Sequence, residues 1–466
     1  FYGERIDRSL IASLRDHRDL EKLPLTSKRD LLNSPENPER TREFVITPEE
    51  AILRHRPATF LRALVRGRAT VAQELEREFR PVLMTSTSGR STDPVPFLYS
   101  AHDLDILSIA GKRLMEIGDS RPEWRHLNLF PYAPHLAFWQ AHHASLGFGT
   151  FCLSTGGGKT MGTDGNVRML GKIQPEVLIG MPTFIYHVLQ HAVEGEIELT
   201  GLRRIVLGGE KVPDGIRGKL KALAARLGSG RVDVIATYGF TEAKMAFPEC
   251  PFPKHGQPSG YHLYPDFGIV EVIDPDTGKQ VADGSPGEIV FTPLDSRGTA
   301  VIRYRTGDLI EGGLVRDTCP HCSRTVPRLV GKISRVSDRR RMQLGKIKGT
   351  LVDFNELEHL LDNCPSLGQW LIELRKLHDD PLEIDELVVH AESSDEAASR
   401  SEIRRAFRNG AEVNPNAIVF HSPRDMRELQ GVGRLLKEQK ILDNRPTTNR
   451  PITNRERETH EHEIQH

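Results

Sequence analysis

Residues 232–244 read VDVIATYGFTEAK, an apolar run that ends in a Tyr-Gly bend followed by a Thr-Glu pair. Three earlier stretches share this build. GFGTFCL (147–153) leads to STGGGKT (154–160), EVLIG (176–180) to MPTFIYHVLQHA (181–192), and RRIVLGGE (203–210) to VPDGIRGKLKALAARL (212–227). Short apolar runs, each closed by small residues and followed by a helix-like segment, predict βα units around a largely parallel sheet. FTEAK (240–244) is accordingly read as the start of a further helix-like segment. Ligands of such sheets gather at the loops that leave the strand C-terminal ends.

Working outward, the first 80 residues carry apolar residues at helical spacing in SLIASLRDHRDLEKL (9–23) and in 48–79. Between 260 and 310 the pattern turns to strands, with FGIVEVIDPDTGKQV (267–281) predicted as a hairpin around DPDTGK. A smaller region with mixed helices and strands follows. The expected fold class is therefore α/β, with a large N-terminal domain (1–332) of mixed, largely parallel sheets and helices, and a small α+β C-terminal domain (333–443). Residues 444–466, nearly without apolar side chains and with a near-repeat of TNRP, are expected to be a disordered tail.

STGGGKT (154–160) ends like a phosphate-cradling P-loop, but the pattern G-x-x-x-x-G-K-[ST] requires glycine at 153, where Leu153 stands. A glycine-rich turn is the better reading. TSTSGRSTDP (85–94) is the stronger phosphate candidate, because its hydroxyls and backbone amides can donate to several oxygens while Arg90 supplies charge.

Taken together and in order, SGRSTDP (88–94), RRIVLGGE (203–210), ATYGFTEA (236–243), GYHLYPD (260–266), PGEIVFTPL (286–294) and VIRYRTGDL (301–309) resemble the adenylate-forming superfamily of acyl-CoA synthetases, adenylation domains and luciferase. Within it the chain looks most like the phenylacetate–CoA ligase branch, over about residues 20–443. The resemblance implies that Tyr238, beside Gly239, stacks on adenine, that Thr241 holds the α-phosphate and that Glu242 ligates Mg2+. It implies that Asp308 takes the ribose hydroxyls and that Gly209 and Glu210 line the nucleotide pocket. Read alone, Thr241-Glu242 could equally open a helix, and Asp308 could be a turn residue. The phosphate loop would run through Thr87, Ser88, Gly89, Arg90 and Ser91; here Thr92 and Asp93 replace the family's usual second glycine and lysine.

LLKEQKILDNRP (435–446) is similar to the family's terminal segment, which makes Lys437 the candidate catalytic lysine, with Lys440 as its neighbour and rival. The family's small C-terminal domain is mobile and turns between two half-reactions. VGKISRVSDRRRM (330–342) resembles that junction, with Asp338 as the hinge and Arg335 or Lys332 as a further ribose contact. The implied activity is ATP-dependent activation of an aryl or other apolar acid as its acyl-adenylate. The acyl group then passes to an acceptor, the thiol of coenzyme A by default, with a carrier-protein thiol or an amine as variants; the alternative, encouraged by Asp93, is a degenerate, non-catalytic nucleotide-binding homologue. The acid pocket is expected between FPYAPHLAFWQ (130–140), the GGE loop and ATYGF, with Phe138, Trp139 and Phe240 as candidate aromatic walls.

Cys319 and Cys322 form a C-x2-C pair, and Cys250 lies five residues before His255. Two such pairs have the spacing of a closed, structural Zn2+ site, with His262 and His321 as substitutes for His255. Five cysteines in all are too few for a secreted disulfide framework. With 63 Lys and Arg against 64 Asp and Glu, no global field favours nucleic acid or an anionic membrane. No apolar run is long enough to span a bilayer. The expected setting is cytoplasmic and an oligomer is possible; since the sequence begins at Phe1, the natural start is expected to lie upstream.

Overall fold

A computed structural model describes residues 1–48, 57–87, 94–252, 256–335, 346–347, 350–351, 354–376, 385–411, 413–432 and 439–445. Ser88, Gly89, Arg90, Ser91, His255, Asp338, Lys437 and tail residues 446–466 therefore lie outside the described residues. The chain divides into two compact units, Phe1–Arg340 and Arg341–His466.

The larger unit is built on a six-stranded sheet. Its strands are β3 (His126–Asn128), β4 (Cys152–Ser154), β5 (Val177–Gly180), β6 (Arg204–Leu207), β7 (Asp233–Phe240) and β8 (Met245–Pro248), in the order β4-β3-β5-β6-β7-β8. β3 to β7 run parallel, as the alternation of apolar runs and helices predicts. Every residue of β5 and β6 is buried, which is what helices on both faces of a parallel sheet require. The connecting helices are Gly157–Ile173, Pro182–Glu194 and Asp214–Arg226. Pro182 stands in the first turn of its helix, where its missing N–H costs nothing.

FTEAK departs from expectation. Thr241–Ala243 form one 3-10 turn, and the chain then reverses into β8, which pairs antiparallel with β7. Lys244 makes the reversal with φ +58°, and the wholly buried Met245–Pro248 suits a covered strand better than a half-exposed helix. The N-terminal helices are also shorter than periodicity suggests. Asp7 caps Arg8–Ser13, Asp16 caps a separate 3-10 helix His17–Lys22, and Gly67 at φ +87° separates helix Pro57–Arg66 from helix Arg68–Phe79.

A hairpin of β1 (Pro81–Ser86) and β2 (Pro96–Ser100) frames the predicted phosphate loop, and Ser100 caps helix Ala101–Ile117. Beyond β8 lie β9 (Tyr261–His262), β10 (Gly268–Ile273), β11 (Gly287–Pro293), β12 (Tyr304–Ile310), β13 (Leu314–Val315), β14 (Arg328–Leu329) and β15 (Ile333–Arg335). They form an antiparallel sheet β10-β11-β12-β15 and a smaller one, β13-β14-β9. DPDTGK turns the chain as expected: Asp274 accepts from the N–H groups of Asp276 and Thr277, and Ile273 bridges Gln280.

The second unit holds a short pair, β16 (Lys346–Ile347) with β17 (Thr350–Leu351), and a four-stranded sheet. The sheet contains β18 (Trp370–Lys376), β19 (Asp385–Glu392), β20 (Ala417–His421) and β21 (Ile441–Asp443) in the order β20-β19-β18-β21. Trp370, Ile372, Leu374, Leu387 and Val389 pack with Leu357, Ile403 and Phe407 of helices Phe354–Asp362 and Glu396–Gly410. Among the described residues, no helix is long and apolar enough to cross a membrane.

Candidate functional site

The C-terminal ends of β6 and β7 face each other across two glycines. A Cβ on Gly208 would lie 2.6 Å from Thr237 Oγ1, so only glycine lets the strands close there, and Gly209 turns the chain outward at φ +79°. Glu210 then reaches the start of helix Pro182–Glu194, where its Oε2 accepts from the hydroxyl and the N–H of Thr183. The positive end of the helix dipole favours a carboxylate there.

From β7, Tyr238 is buried against Phe240 and Tyr261 and donates its hydroxyl to Asp308 Oδ2 at 2.9 Å. Burial, reinforced by the Asp308 charge, raises this phenol well above its ordinary pKa, so it remains a donor. Asp308 is aimed inward by a bulge in β12: Gly307 adopts φ +72°, and the register against β11 shifts between Glu288 and Val290. The other carboxylate oxygen of Asp308 lies 3.2 Å from Arg335 Nε on the paired strand β15. Glu242, in the 3-10 turn, accepts from the Tyr304 hydroxyl at 2.7 Å. Burial raises the Glu242 carboxyl above its usual value, partly offset by that hydrogen bond.

Thr87 closes the base of the β1–β2 loop, donating its N–H to Val95 O at 3.1 Å and accepting the Val95 N–H at 3.0 Å. The 130–135 loop is tied to the same strand end, where His135 Nδ1 donates to Ser86 O at 2.9 Å. Tyr238, Asp308 and Arg335 thus form one contact chain and Glu242 with Tyr304 a second. Glu210 engages Thr183, and Lys332 is exposed beside β15. Tyr304 was not singled out in the sequence, although it lies inside IRYRTGDL; its partner is 62 residues away. Phe138 and Phe240 are buried in separate hydrophobic clusters, and Phe130 is the aromatic that stands against Gly208 and Gly209.

STGGGKT has no comparable opening. A Cβ on Gly156 would lie 2.1 Å from the Tyr132 ring, and Tyr132 OH donates to Ser154 O. Buried Asn166 donates to Gly157 O and Gly162 O and accepts from the Thr155 hydroxyl, so these two carbonyls and this hydroxyl are engaged by the protein itself.

Behind Tyr238, the Tyr261-His262 strand leads to a second cluster. Ligand atoms of Cys250, His262, Cys319 and Cys322 all lie within 4.8 Å of one another. His262, one of the two substitutes for His255, joins the three cysteines among the described residues, because β9 pairs with β14 and carries it into the gap between the two loops. His321 instead donates from Nε2 to Gln257 O at 3.0 Å. A carbonyl can only accept, so the contact of His262 Nδ1 with Pro248 O, at 3.2 Å, puts the proton on Nδ1 and leaves Nε2 facing Cys322 Sγ at 3.3 Å. Burial would raise the Cys319 thiol, but hydrogen bonds from Ser259 and the backbone N–H groups of Cys322 and His321 outweigh it and bring it down to about 7. Burial pushes Cys250 up to about 12. Three thiols and one imidazole are the donor set of a closed tetrahedral Zn2+ site.

Residues 126–294, which carry β3 to β11, match the family model described as AMP-binding enzyme. The chain is also similar to phenylacetate-coenzyme A ligases. It is 27% identical over 319 residues to that of Aromatoleum evansii, covering 67% of this chain and 66% of the relative. It is 26% identical over 257 residues to that of Thermus thermophilus, covering 54% of each. The matched stretch thus spans between about half and just under two thirds of these relatives. A solved 2-hydroxyisobutyryl-CoA ligase, in the postadenylation state with R3-HIB-AMP, superimposes with a TM-score of 0.68 at 19% identity, over 93% of this chain and 82% of that one. At that identity the likeness establishes the fold.

Proposed function

We propose that this protein is an AMP-forming acid–thiol ligase. The observation that carries the reading is the pair of contact chains Tyr238–Asp308–Arg335 and Glu242–Tyr304 at the strand ends of an AMP-binding fold. Tyr238 would face adenine, and Asp308, steadied by Arg335 or joined by Lys332, would accept from the ribose hydroxyls. Thr241 would donate to the α-phosphate, Gly209 and Glu210 would border the nucleotide, and residues 87–91 would wrap the outer phosphates. Lys437 would meet the charge that develops between carboxylate and α-phosphate.

A substrate carboxylate oxygen attacks the α-phosphorus of ATP and pyrophosphate departs, leaving an acyl-adenylate. A thiol sulfur, most simply that of coenzyme A, then attacks the acyl carbon, loses its proton and displaces AMP. The reacting carboxylate is already a nucleophile, so the protein contributes orientation and charge stabilisation. Glu242 fits a magnesium site as a carboxylate oriented by Tyr304; bound Mg2+ would screen the phosphate charge. Cys250, His262, Cys319 and Cys322 would hold Zn2+, which would supply cross-linking of two loops rather than chemistry. A reducing, cytoplasmic setting goes with this reading, since it gives three of the five cysteines to a metal as thiolates.

The test is acid-dependent exchange of pyrophosphate into ATP across a panel of aryl and short aliphatic acids, with mass detection of the thioester. Exchange with one acid class and a matching CoA thioester is expected. No exchange with any acid would sink the ligase reading, and acyl transfer only to a carrier protein would redirect the second step.

A further inference from the structure

We propose that Lys244 is a positioning residue that locks the Thr241–Glu242 turn to the β1–β2 strands, so that this turn is held in register with the strands that carry the loop assigned to the ATP phosphates. The inference rests on the ligase reading for the identity of those phosphates.

Lys244 is the first residue after the 3-10 turn, and its N–H closes that turn on Thr241 O at 3.1 Å. It adopts φ +58°, a left-handed conformation that glycine or asparagine would take with less strain. Its side chain is also buried, at 5% exposure, where an ammonium is disfavoured. Two unfavourable choices coincide at one residue, directly beside the candidate phosphate and metal contacts. Strain of this kind is kept where the surroundings over-determine it.

The surroundings show what the lysine does. Its Nζ lies 3.1 Å from Asp103 Oδ2 and 5.0 Å above the centroid of the Tyr99 ring. Asp103 is itself fixed by the N–H groups of Ser100, Arg297 and Gly298 at the start of helix Ala101–Ile117. Tyr99, fully buried on β2, accepts the hydroxyl of Thr85 on β1 at 3.2 Å. Thr85 stands two residues before Thr87, which closes the phosphate loop's base. A continuous buried path, Thr85 to Tyr99 to Lys244 to Asp103, therefore joins the root of one phosphate segment to the end of the other. Glycine at 244 would relieve the backbone and break that path.

The test compares ATP with phosphate-free adenosine by isothermal titration in Mg2+ buffer, for the wild-type chain, Lys244→Met, Lys244→Arg and Tyr99→Phe. Lys244→Met should weaken ATP about tenfold while adenosine changes less than about twofold, and Lys244→Arg should recover part of the loss. If Lys244→Met does not fold, Tyr99→Phe carries the comparison, because it removes only the hydroxyl that meets Thr85; a loss confined to ATP is again expected. Equal losses for ATP and adenosine, or unchanged ATP affinity in both Lys244→Met and Tyr99→Phe, would overturn the proposal. A wild-type chain that binds ATP but shows no acid-dependent exchange would defeat the ligase reading alone, and one that binds no ATP would defeat both.

Discussion

Two loops in this chain place consecutive glycines just after a parallel strand, and they use them differently. After β4, Gly156 and Gly157 both adopt positive φ, and the space a side chain would take is already filled, by the Tyr132 ring 2.1 Å from a Cβ on Gly156 and by Leu129 O 2.9 Å from one on Gly157. After β6, Gly208 closes the strand ends while Gly209 is exposed, with nothing nearer than 3.7 Å to a Cβ. The first loop looks more like a phosphate cradle in sequence; the second leaves room in space. What a glycine-rich motif does depends on what occupies the volume that glycine leaves free.

The largest expected effect falls on the second loop's side of the comparison. Glu242→Ala or Asp308→Ala should lower acid-dependent pyrophosphate exchange by about 10²–10³-fold, the cost of losing a preorganised charged contact. Exchange retained within about threefold would remove those residues from the site. Because burial raises the Glu242 carboxyl, its ionised form is lost as pH falls through a value above the ordinary 4.5. The Mg2+ concentration needed for half-maximal exchange should therefore rise on acidification while an exposed glutamate would still be charged. A Mg2+ requirement that rises only once the pH falls below 4.5, as for an exposed glutamate, would argue against Glu242 as the ligand.

Metal removal sharpens the same side, since Tyr261 links His262 to the Tyr238 ring. Cys319→Ser should abolish about one bound Zn2+ per chain and lower the unfolding midpoint by about 5 °C or more. Metal content by mass spectrometry together with calorimetry checks this. Unchanged stability with metal absent would make the four-residue cluster incidental.

These residues also mark the limit of what the sequence discloses. The parallel direction of β4 to β7 was legible from the alternation of apolar runs and helix-like segments, most clearly at β5 and β6, which are buried on both faces and read as short apolar runs closed by small residues. The turn after Phe240 was not: nothing local distinguishes FTEAK from a helix start, and the reversal depends on where the apolar MAFP strand finds cover. The cysteines were identifiable by spacing, whereas placing His262 beside them required the β9–β14 pairing, a contact between residues 66 apart in sequence, Arg328 and His262. Tyr304 was invisible as a partner for the same reason, since a hydrogen bond across two sheets leaves no periodicity. Ser88, Gly89, Arg90 and Ser91 are assigned from the loop's hydroxyls, amides and Arg90 charge together with the resemblance, and Lys437 from the resemblance, all five being outside the described residues.

On the packed loop, Gly156→Ala should act on stability and spare chemistry. A left-handed alanine costs about 1–2 kcal/mol, and the displaced Tyr132 ring adds about 1–3 kcal/mol of overpacking. Exchange per folded molecule should stay within about twofold, as measured after correcting for the folded fraction by urea titration. A specific loss of exchange in a fully folded Gly156→Ala protein would show that this loop borders the substrate after all.

The smallest effect is expected at Lys159, and it is the one that separates the two loops most cleanly. A P-loop lysine is placed to reach the outer phosphates, so its removal would abolish ATP turnover. Here Lys159 is exposed on the first turn of helix Gly157–Ile173, and its loop lacks the leading glycine because Leu153 occupies β4. The carbonyls of Gly157 and Gly162 are already bonded to Asn166, so the turn is fixed without a phosphate. Lys159→Ala should therefore shift stability by no more than about 0.5 kcal/mol and leave acid-dependent exchange unchanged. Acid-independent ATP hydrolysis that disappears in Lys159→Ala would reverse the assignment, giving the nucleotide to the packed loop and leaving the Tyr238–Asp308 chain as mere scaffold.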